Sequence, residues 1–301
     1  MPKTIESYKE SSRIRAEFKL MLGCIPTSIM ARENSDANDP IMDERGPLKC
    51  ERHKSIMRKV KGNFYRKLFV ISGTAVRGKK GGLSIFPQNI GKILVKFYTK
   101  EGQTVYDPFA GHNSRMQLVY NLKRNYIGVD VSKEFMKHNL IIRDKLLAQN
   151  QHCIFPNPCS ITLIEGSSAS VPSIDSECAD FTITSPPYWD IEYYGDEPEQ
   201  LGNHKNYGKF LDALQAHVSE NYRILKPNTY CCWFVNDFVK NNTYFAYHSD
   251  LINLFQKAGF VIHAIYIVDL KRSCAFIRDV IKFKRFTKSH EYCMVFRKEA
   301  K

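Results

Sequence analysis

The sequence predicts an α/β fold in which a largely parallel sheet carries helices on both faces. Two observations predict it. From about Gly102 onward, short β-branched or aromatic runs alternate with longer helical stretches. The first two of these runs end at Asp107 and Asp130, where open α/β sheets receive their ligands.

The runs read as strands are Thr104–Tyr106, Tyr126–Val129, Ile161–Glu165, Asp180–Thr184, Tyr230–Asn236, Val261–Val268 and Glu291–Phe296, seven in all. Pro108 and the pair Pro186-Pro187 follow two of them, and proline cannot continue a sheet. Helices are expected near Ile90–Tyr98, Arg115–Lys123, Lys133–Ala148, Tyr207–Leu225 and Tyr247–Ala258, with Ser132 as an N-cap and Gly259 as a stop. Ahead of these, Ile14–Leu22 suits one short helix. Ala31–Pro47, rich in Asn, Asp, Glu, Arg and Pro, reads as a long loop or linker.

Composition bounds the class. At 301 residues and 43% hydrophobic content the chain has room for one large core or two small ones. It has no apolar run long enough to span a membrane, and residues 1–20 lack a signal-peptide core, so a cytoplasmic protein is expected. The nine cysteines follow no zinc-ligand spacing, Cys153-x5-Cys159 and Cys231-Cys232 included, and read as free thiols.

The net charge of +13 is unevenly placed: 13 basic against 1 acidic residue in 51–100 and 10 against 3 in 271–301, but 13 against 19 in 101–270. Basic flanks around a mildly acidic middle suit a phosphate-binding surface, although solvated lysines on ordinary faces give the same count. Aromatic rings interleaved with the charge, as in Phe64-Tyr65 and Phe283 to Phe286, favour nucleic acid, since rings stack on bases. Residues 1–80 are read as a basic N-terminal extension and candidate DNA-binding region, and 81–301 as the catalytic domain.

Three constellations carry chemistry. In Val105-Tyr-Asp-Pro-Phe-Ala-Gly111 a strand runs through a tight turn into a helix, letting backbone amides approach a ligand closely. Tyr126-Ile-Gly-Val-Asp130 is an apolar strand ending in a carboxylate, which can hold both hydroxyls of a ribose. A second reading of Asp130, as a helix cap, loses weight because Asp107 and Asp130 end neighbouring strands.

The third constellation, Thr182-Ile-Thr-Ser-Pro-Pro-Tyr-Trp189, decides the matter. Two prolines directly after a strand fix a stiff bend with outward carbonyls. An amino group on a heteroaromatic base is a poor nucleophile because its lone pair is delocalised into the ring. Accepting its two hydrogens, one at the Ser185 hydroxyl and one at the Pro186 carbonyl, would free that lone pair. Tyr188 would stack on the extruded base.

The Thr-Ser-Pro-Pro-Tyr-Trp run and the Asp-Pro-Phe-Ala-Gly turn together resemble the S-adenosylmethionine (SAM)-dependent DNA methyltransferases that modify N4 of cytosine or N6 of adenine. The resemblance extends over roughly residues 83–298 and takes in Phe86-Pro87, Gln200-Leu-Gly202, Arg223 to Pro227 and Ser289 to Tyr292. It implies a Rossmann-like three-layer sandwich with a seven-stranded mixed sheet, the last strand antiparallel.

It further implies residue roles. Asp107, Phe109 and Gly111 would line the SAM methionine with Phe86 nearby, Asp130 would hold the ribose, and Ser167 would lie beside the adenine. Ser185, Pro186, Pro187 and Tyr188 would form the catalytic loop, with no metal. The implied partners are double-stranded DNA with its target base flipped out and a cognate restriction enzyme.

One departure stands out: the family continues its first turn with small residues, where this chain has His112-Asn-Ser-Arg115. Either the two bulky side chains point away or SAM binding is altered. Serine at the first loop position is commoner in the family's cytosine enzymes, which favours N4 of cytosine, with N6 of adenine as the alternative.

No insert of target-recognition size follows residue 190, so base contacts are expected from residues 1–80 or from Lys271–Lys288, with Arg272, Arg278 and Arg285 as candidates. Two rival readings are an RNA or protein-amide methyltransferase and a DNA-binding relative without the chemistry. An NAD-dependent oxidoreductase would need a G-x-G-x-x-G turn that Gly111-His-Asn-Ser-Arg115 does not supply.

Overall fold

The computed structural model describes residues 5–32, 86–191, 197–270, 284–285 and 288–300. All seven expected strands pair into one sheet: β2 Thr104–Asp107, β3 Asn125–Asp130, β4 Ile161–Glu165, β5 Ala179–Thr184, β6 Leu225–Val235, β9 Val261–Asp269 and β10 His290–Lys298. An eighth, β1 Ile29–Ala31, joins at the edge, parallel to β9. The sheet therefore has 8 strands in the order β1-β9-β10-β6-β5-β2-β3-β4, one more than the sequence predicts. Only three residues pair at this edge, too few to show a two-residue period.

β10 runs antiparallel to both its neighbours, β6 and β9, and the other described pairings of this sheet are parallel. A second, two-stranded sheet, β7 Phe238–Lys240 and β8 Thr243–Phe245, was not expected from the sequence. Its turn residues Asn241 and Asn242 have φ of +48° and +63°, the left-handed pair that a two-residue hairpin loop requires and asparagine tolerates.

Helices α1 Ile5–Leu22, α2 Gln88–Tyr98, α3 Ser114–Asn121, α4 Lys133–Gln151, α5 Tyr207–Ile224 and α6 Tyr247–Ala258 are accompanied by two short 3-10 turns, Trp189–Ile191 and Leu201–Asn203. Two ends behave as expected. The Ser132 hydroxyl accepts the Phe135 amide hydrogen at the start of α4, and Gly259 closes α6 at φ +101°.

Both faces of the inner strands are buried, whereas much of β9 toward the edge is exposed, and strand alternation assigns each inner side chain its layer. Phe181, Ile183, Cys232, Phe234, Cys293 and Val295 pack with α2, α3 and α4 through Ile90, Leu94, Met116, Val119 and Ile142. The intervening Cys231, Trp233, Val235, Met294 and Phe296 pack with α5 and α6 through Phe210, Leu214, Val218, Leu251 and Phe255. The result is a Rossmann-like three-layer sandwich. β5, whose six residues are all buried, lies near its centre, with the polar Asp180, Thr182 and Thr184 alternating with Ala179, Phe181 and Ile183.

Among the described residues no helix is long and apolar enough to cross a membrane, no group of side chains is arranged to hold a metal ion, and the cysteines are free thiols. Arg272, Arg278 and most of residues 1–80 and 271–288 lie outside the described residues.

Candidate active site

The chain order reverses between β2 and β5: β3 and β4 follow on one side of β2, whereas β5 and β6 lie on the other. Such a switch point leaves a crevice beyond the strands' carboxyl ends, where ligands of open α/β sheets bind. Asp107 ends β2 and Thr184 ends β5, so the two loops singled out in the sequence both emerge there.

Asp107 is fully buried. Its Oδ1 accepts the Thr184 hydroxyl at 2.6 Å, and its Oδ2 accepts Arg115 Nε–H at 2.6 Å and the Tyr126 hydroxyl at 2.8 Å. Burial, then the Asp107 charge, pushes the Tyr126 hydroxyl well above its usual pKa, so it remains a donor. One carboxylate thus ties the end of β2 to the end of β5 and to α3.

Arg115, bulky for a ligand-facing turn, is buried against Asp107, although it and His112 both still line the crevice. Its Nη2 donates to the carbonyl oxygens of Phe109 at 2.5 Å and Ala110 at 3.2 Å, and its guanidinium lies 5.2 Å from the Phe86 ring centroid. His112 packs its ring against Phe135 at 4.8 Å.

Gly111, at φ +51°, sits where an L side chain is strained. Its N–H reaches Asp130 Oδ2 at 2.7 Å, and the Ser132 N–H reaches Asp130 Oδ1 at 2.8 Å. Each carboxylate oxygen has a second lone pair, and the residue lines the cleft, an arrangement that fits a vicinal diol. Burial raises the Asp130 pKa to about 6, against the opposing pull of those two amides; Asp107 adds to the rise and Arg115 reduces it.

The loop after β5 is held from three sides. The Ser185 hydroxyl donates to the Phe234 carbonyl at 3.2 Å, Tyr247 OH donates to the Pro187 carbonyl at 3.3 Å, and Tyr188 OH donates to Glu291 Oε1 at 3.2 Å. Trp189, at φ +41°, is buried, with its indole N–H on the His204 carbonyl at 2.8 Å and its ring against Tyr207 and Phe245. It anchors the loop in the core.

One open cleft takes in both loops. Of the residues expected at the site, Phe86, Phe109, Gly111, Asp130, Ser185, Pro187 and Tyr188 line it. Asp107 and Pro186 are buried and do not line it. Ser167 does not line it either, although its neighbours Gly166 and Ser168 do; its hydroxyl oxygen accepts the Ala169 N–H at 3.3 Å.

The structure adds wall residues that sequence reasoning did not single out. His217 is 4% exposed, shares a 2.8 Å hydrogen bond with the Ser168 hydroxyl and packs on Phe109. Burial lowers its pKa to about 4, so it is neutral at physiological pH. It lies between Leu214 and Val218 on the apolar face of α5, and nothing local distinguishes it from a core histidine. Glu291 opens β10 within the Ser289 to Tyr292 segment already noted, without a role assigned.

A doubly wound sheet whose switch-point cleft is lined by both the Asp130 carboxylate and a Ser-Pro-Pro-Tyr loop defines a Rossmann-like methyltransferase. The chain belongs to the DNA methylase family of N6- and N4-methyltransferases, whose family model matches residues 30–142 and 179–301. A curated relative, the Type II methyltransferase M2.DpnII of Streptococcus pneumoniae, is 34% identical over 65 residues, which cover 22% of this chain and 23% of the relative. The match thus spans under a quarter of that relative's length.

Among solved structures, a SAM-dependent methyltransferase of Methanosarcina mazei is 12% identical and covers 73% of this chain and 100% of its own, at a TM-score of 0.46. A Thermus thermophilus protein described as a DNA modification methylase, complexed with S-adenosyl-L-methionine, is 26% identical and covers 43% of this chain and 51% of its own, at a TM-score of 0.32.

Proposed function

We propose that this chain methylates N4 of a cytosine flipped out of double-stranded DNA, with S-adenosylmethionine as its cofactor and methyl donor. The observation that carries the reading is that Ser185, opening a diproline bend at the switch point, lines the same cleft as the Asp130 carboxylate. When bound, the cofactor supplies a methyl group on a sulfonium, an activated leaving group that needs no metal.

The chain's own residues do the rest by positioning. Asp130 holds the ribose hydroxyls, Gly111, Phe109 and Phe86 flank the methionine portion, and the turn at Ser167 borders the adenine through Gly166 and Ser168. Asp107 acts from beneath, fixing the turn through Arg115 and the catalytic loop through Thr184. The Ser185 hydroxyl spends its hydrogen on the Phe234 carbonyl, so its oxygen presents lone pairs to one amino hydrogen of the base. The Pro186 carbonyl, buried and outside the cleft wall, would have to be reached as the base enters in order to take the other. Tyr188 replaces the stacking that the flipped base has lost.

Serine at this position, by resemblance to the family's cytosine enzymes, supports cytosine over adenine. The basic segments 51–100 and 271–301 dock the phosphates, the first of them overlapping the candidate DNA-binding region of residues 1–80. A restriction enzyme of the same specificity would be the cellular partner. Labelled methyl transfer from SAM to plasmid DNA, RNA and protein in parallel tests the reading: DNA alone should be labelled, and label confined to RNA or protein would refute it.

A pH dependence follows from Asp130. The diol needs a charged acceptor, and the carboxyl has a pKa of about 6 in the absence of ligand. Affinity for SAM is therefore level above that pH and falls by about tenfold per unit below it. Titrating SAM binding calorimetrically across a pH range of roughly 5 to 8 should show this break, and Asp130→Asn should abolish it. The substitution should also weaken binding at neutral pH by about 2 kcal/mol, roughly thirtyfold, for the lost bonds to a charged group.

A further inference from the structure

We infer that Glu291 is a further catalytic residue, the base that takes the proton released when the amino group is methylated. This rests on the reading above. As the nitrogen lone pair forms the N–CH3 bond, the CH3–S bond breaks with its electron pair remaining on sulfur. The nitrogen then carries a positive charge and must lose one hydrogen as a proton. Ser185 cannot keep that proton: an alcohol oxygen is too weak a base, and its own hydrogen bond leads only to the Phe234 backbone carbonyl.

Three carboxylates line the cleft: Asp130, Glu199 and Glu291. Asp130 lies at the end of β3, its oxygens engaged by the Gly111 and Ser132 amides. Glu199 is exposed. Glu291 alone of the three is bonded to the catalytic loop, accepting the Tyr188 hydroxyl at 3.2 Å.

The sheet register places it independently. Thr184 pairs with Trp233, and Cys293 pairs with Phe234, whose carbonyl holds Ser185. Glu291 therefore stands two residues from that row, toward the cleft and on the same face of β10 as Cys293. The antiparallel strand thus brings to the catalytic loop a carboxylate that the parallel strands do not provide. Its bond to the phenol fixes it beside the ring proposed to stack on the base, where the amino group would lie.

Single-turnover methyl transfer from labelled SAM to long unmethylated amplified DNA tests the inference. Glu291→Gln keeps the size and the acceptor for Tyr188 but cannot take a proton. It should slow transfer roughly a hundredfold while SAM affinity, read on the same preparation, stays within about twofold of wild type. Glu291→Ala should be equally slow, and added formate, a small carboxylate that fits the vacated space, should restore part of its rate.

Transfer by Glu291→Gln at the wild-type rate, or a deficit in Glu291→Ala that formate leaves unchanged, overturns the inference alone. Absence of transfer to DNA by the wild-type chain overturns it together with the proposed function.

Discussion

Replacing Ser185 with alanine is expected to lower the rate of methyl transfer about a hundredfold while leaving the SAM dissociation constant unchanged. The magnitude is that of removing one oriented hydrogen-bonding group from a transition state. The separation of effects follows from geometry. Ser185 stands on the loop after β5, apart in the chain from Gly111 in the turn after β2 and Asp130 at the end of β3, and its hydroxyl bonds to Phe234 on β6 rather than to that turn. Alanine deletes the acceptor and leaves the bend, because Pro186, Pro187 and the Tyr247 bond to the Pro187 carbonyl still fix the backbone. Stopped single-turnover reactions and equilibrium SAM titration on the same preparation separate the two quantities. A parallel loss in both would remove Ser185 from the chemical step.

The largest effect on stability is expected from Arg115→Ala. The Arg115 and Asp107 side chains are 8% and 0% exposed and meet at 2.6 Å. Deleting the guanidinium strands a buried carboxylate and releases the Phe109 and Ala110 carbonyls that shape the turn. Breaking a buried pair in this way costs about 3–5 kcal/mol. For a chain of this size that lowers the thermal midpoint by roughly 10 °C. SAM affinity should fall with it, since the turn carries Gly111.

The double variant Asp107→Ala with Arg115→Ala should lose clearly less than the sum of the single losses, because removing both partners leaves no stranded charge. Denaturant unfolding of the three variants measures the coupling, and additive losses would mean that the pair does not act as a unit.

These two expectations mark which parts of the molecule its sequence makes legible. The inner strands are readable from short β-branched or aromatic runs bounded by turn residues: Tyr230–Val235 is apolar throughout, and Ala179–Thr184 carries Phe181, Thr182, Ile183 and Thr184 directly ahead of the two prolines. Helix α6 is readable to the residue because Gly259 stops it. β1 is not, because three residues at an edge carry no period. The β7–β8 hairpin escapes notice although its Asn241-Asn242 pair is a turn signal, because it follows directly on the end of β6.

The site divides along the same line. Ser185 and Asp130 are visible because local chain chemistry, a diproline bend and an acid at a strand end, sets their positions. Glu291 and His217 reach the cleft only through the pairing of β10 with β6 and the packing of α5, and no local pattern encodes contacts so distant in the chain. Arg115 looks like an obstruction until its partner is seen; the buried Asp107 supplies the reason that it is itself buried.

Mass spectrometry of nucleosides from the DNA of cells expressing the chain tests the central claim most directly. N4-methylcytosine should appear with the wild-type protein and be absent with Ser185→Ala, whereas N6-methyladenine in its place would keep the chemistry and overturn the choice of base. DNA carrying neither modified base above the level of cells without the protein would contradict the account.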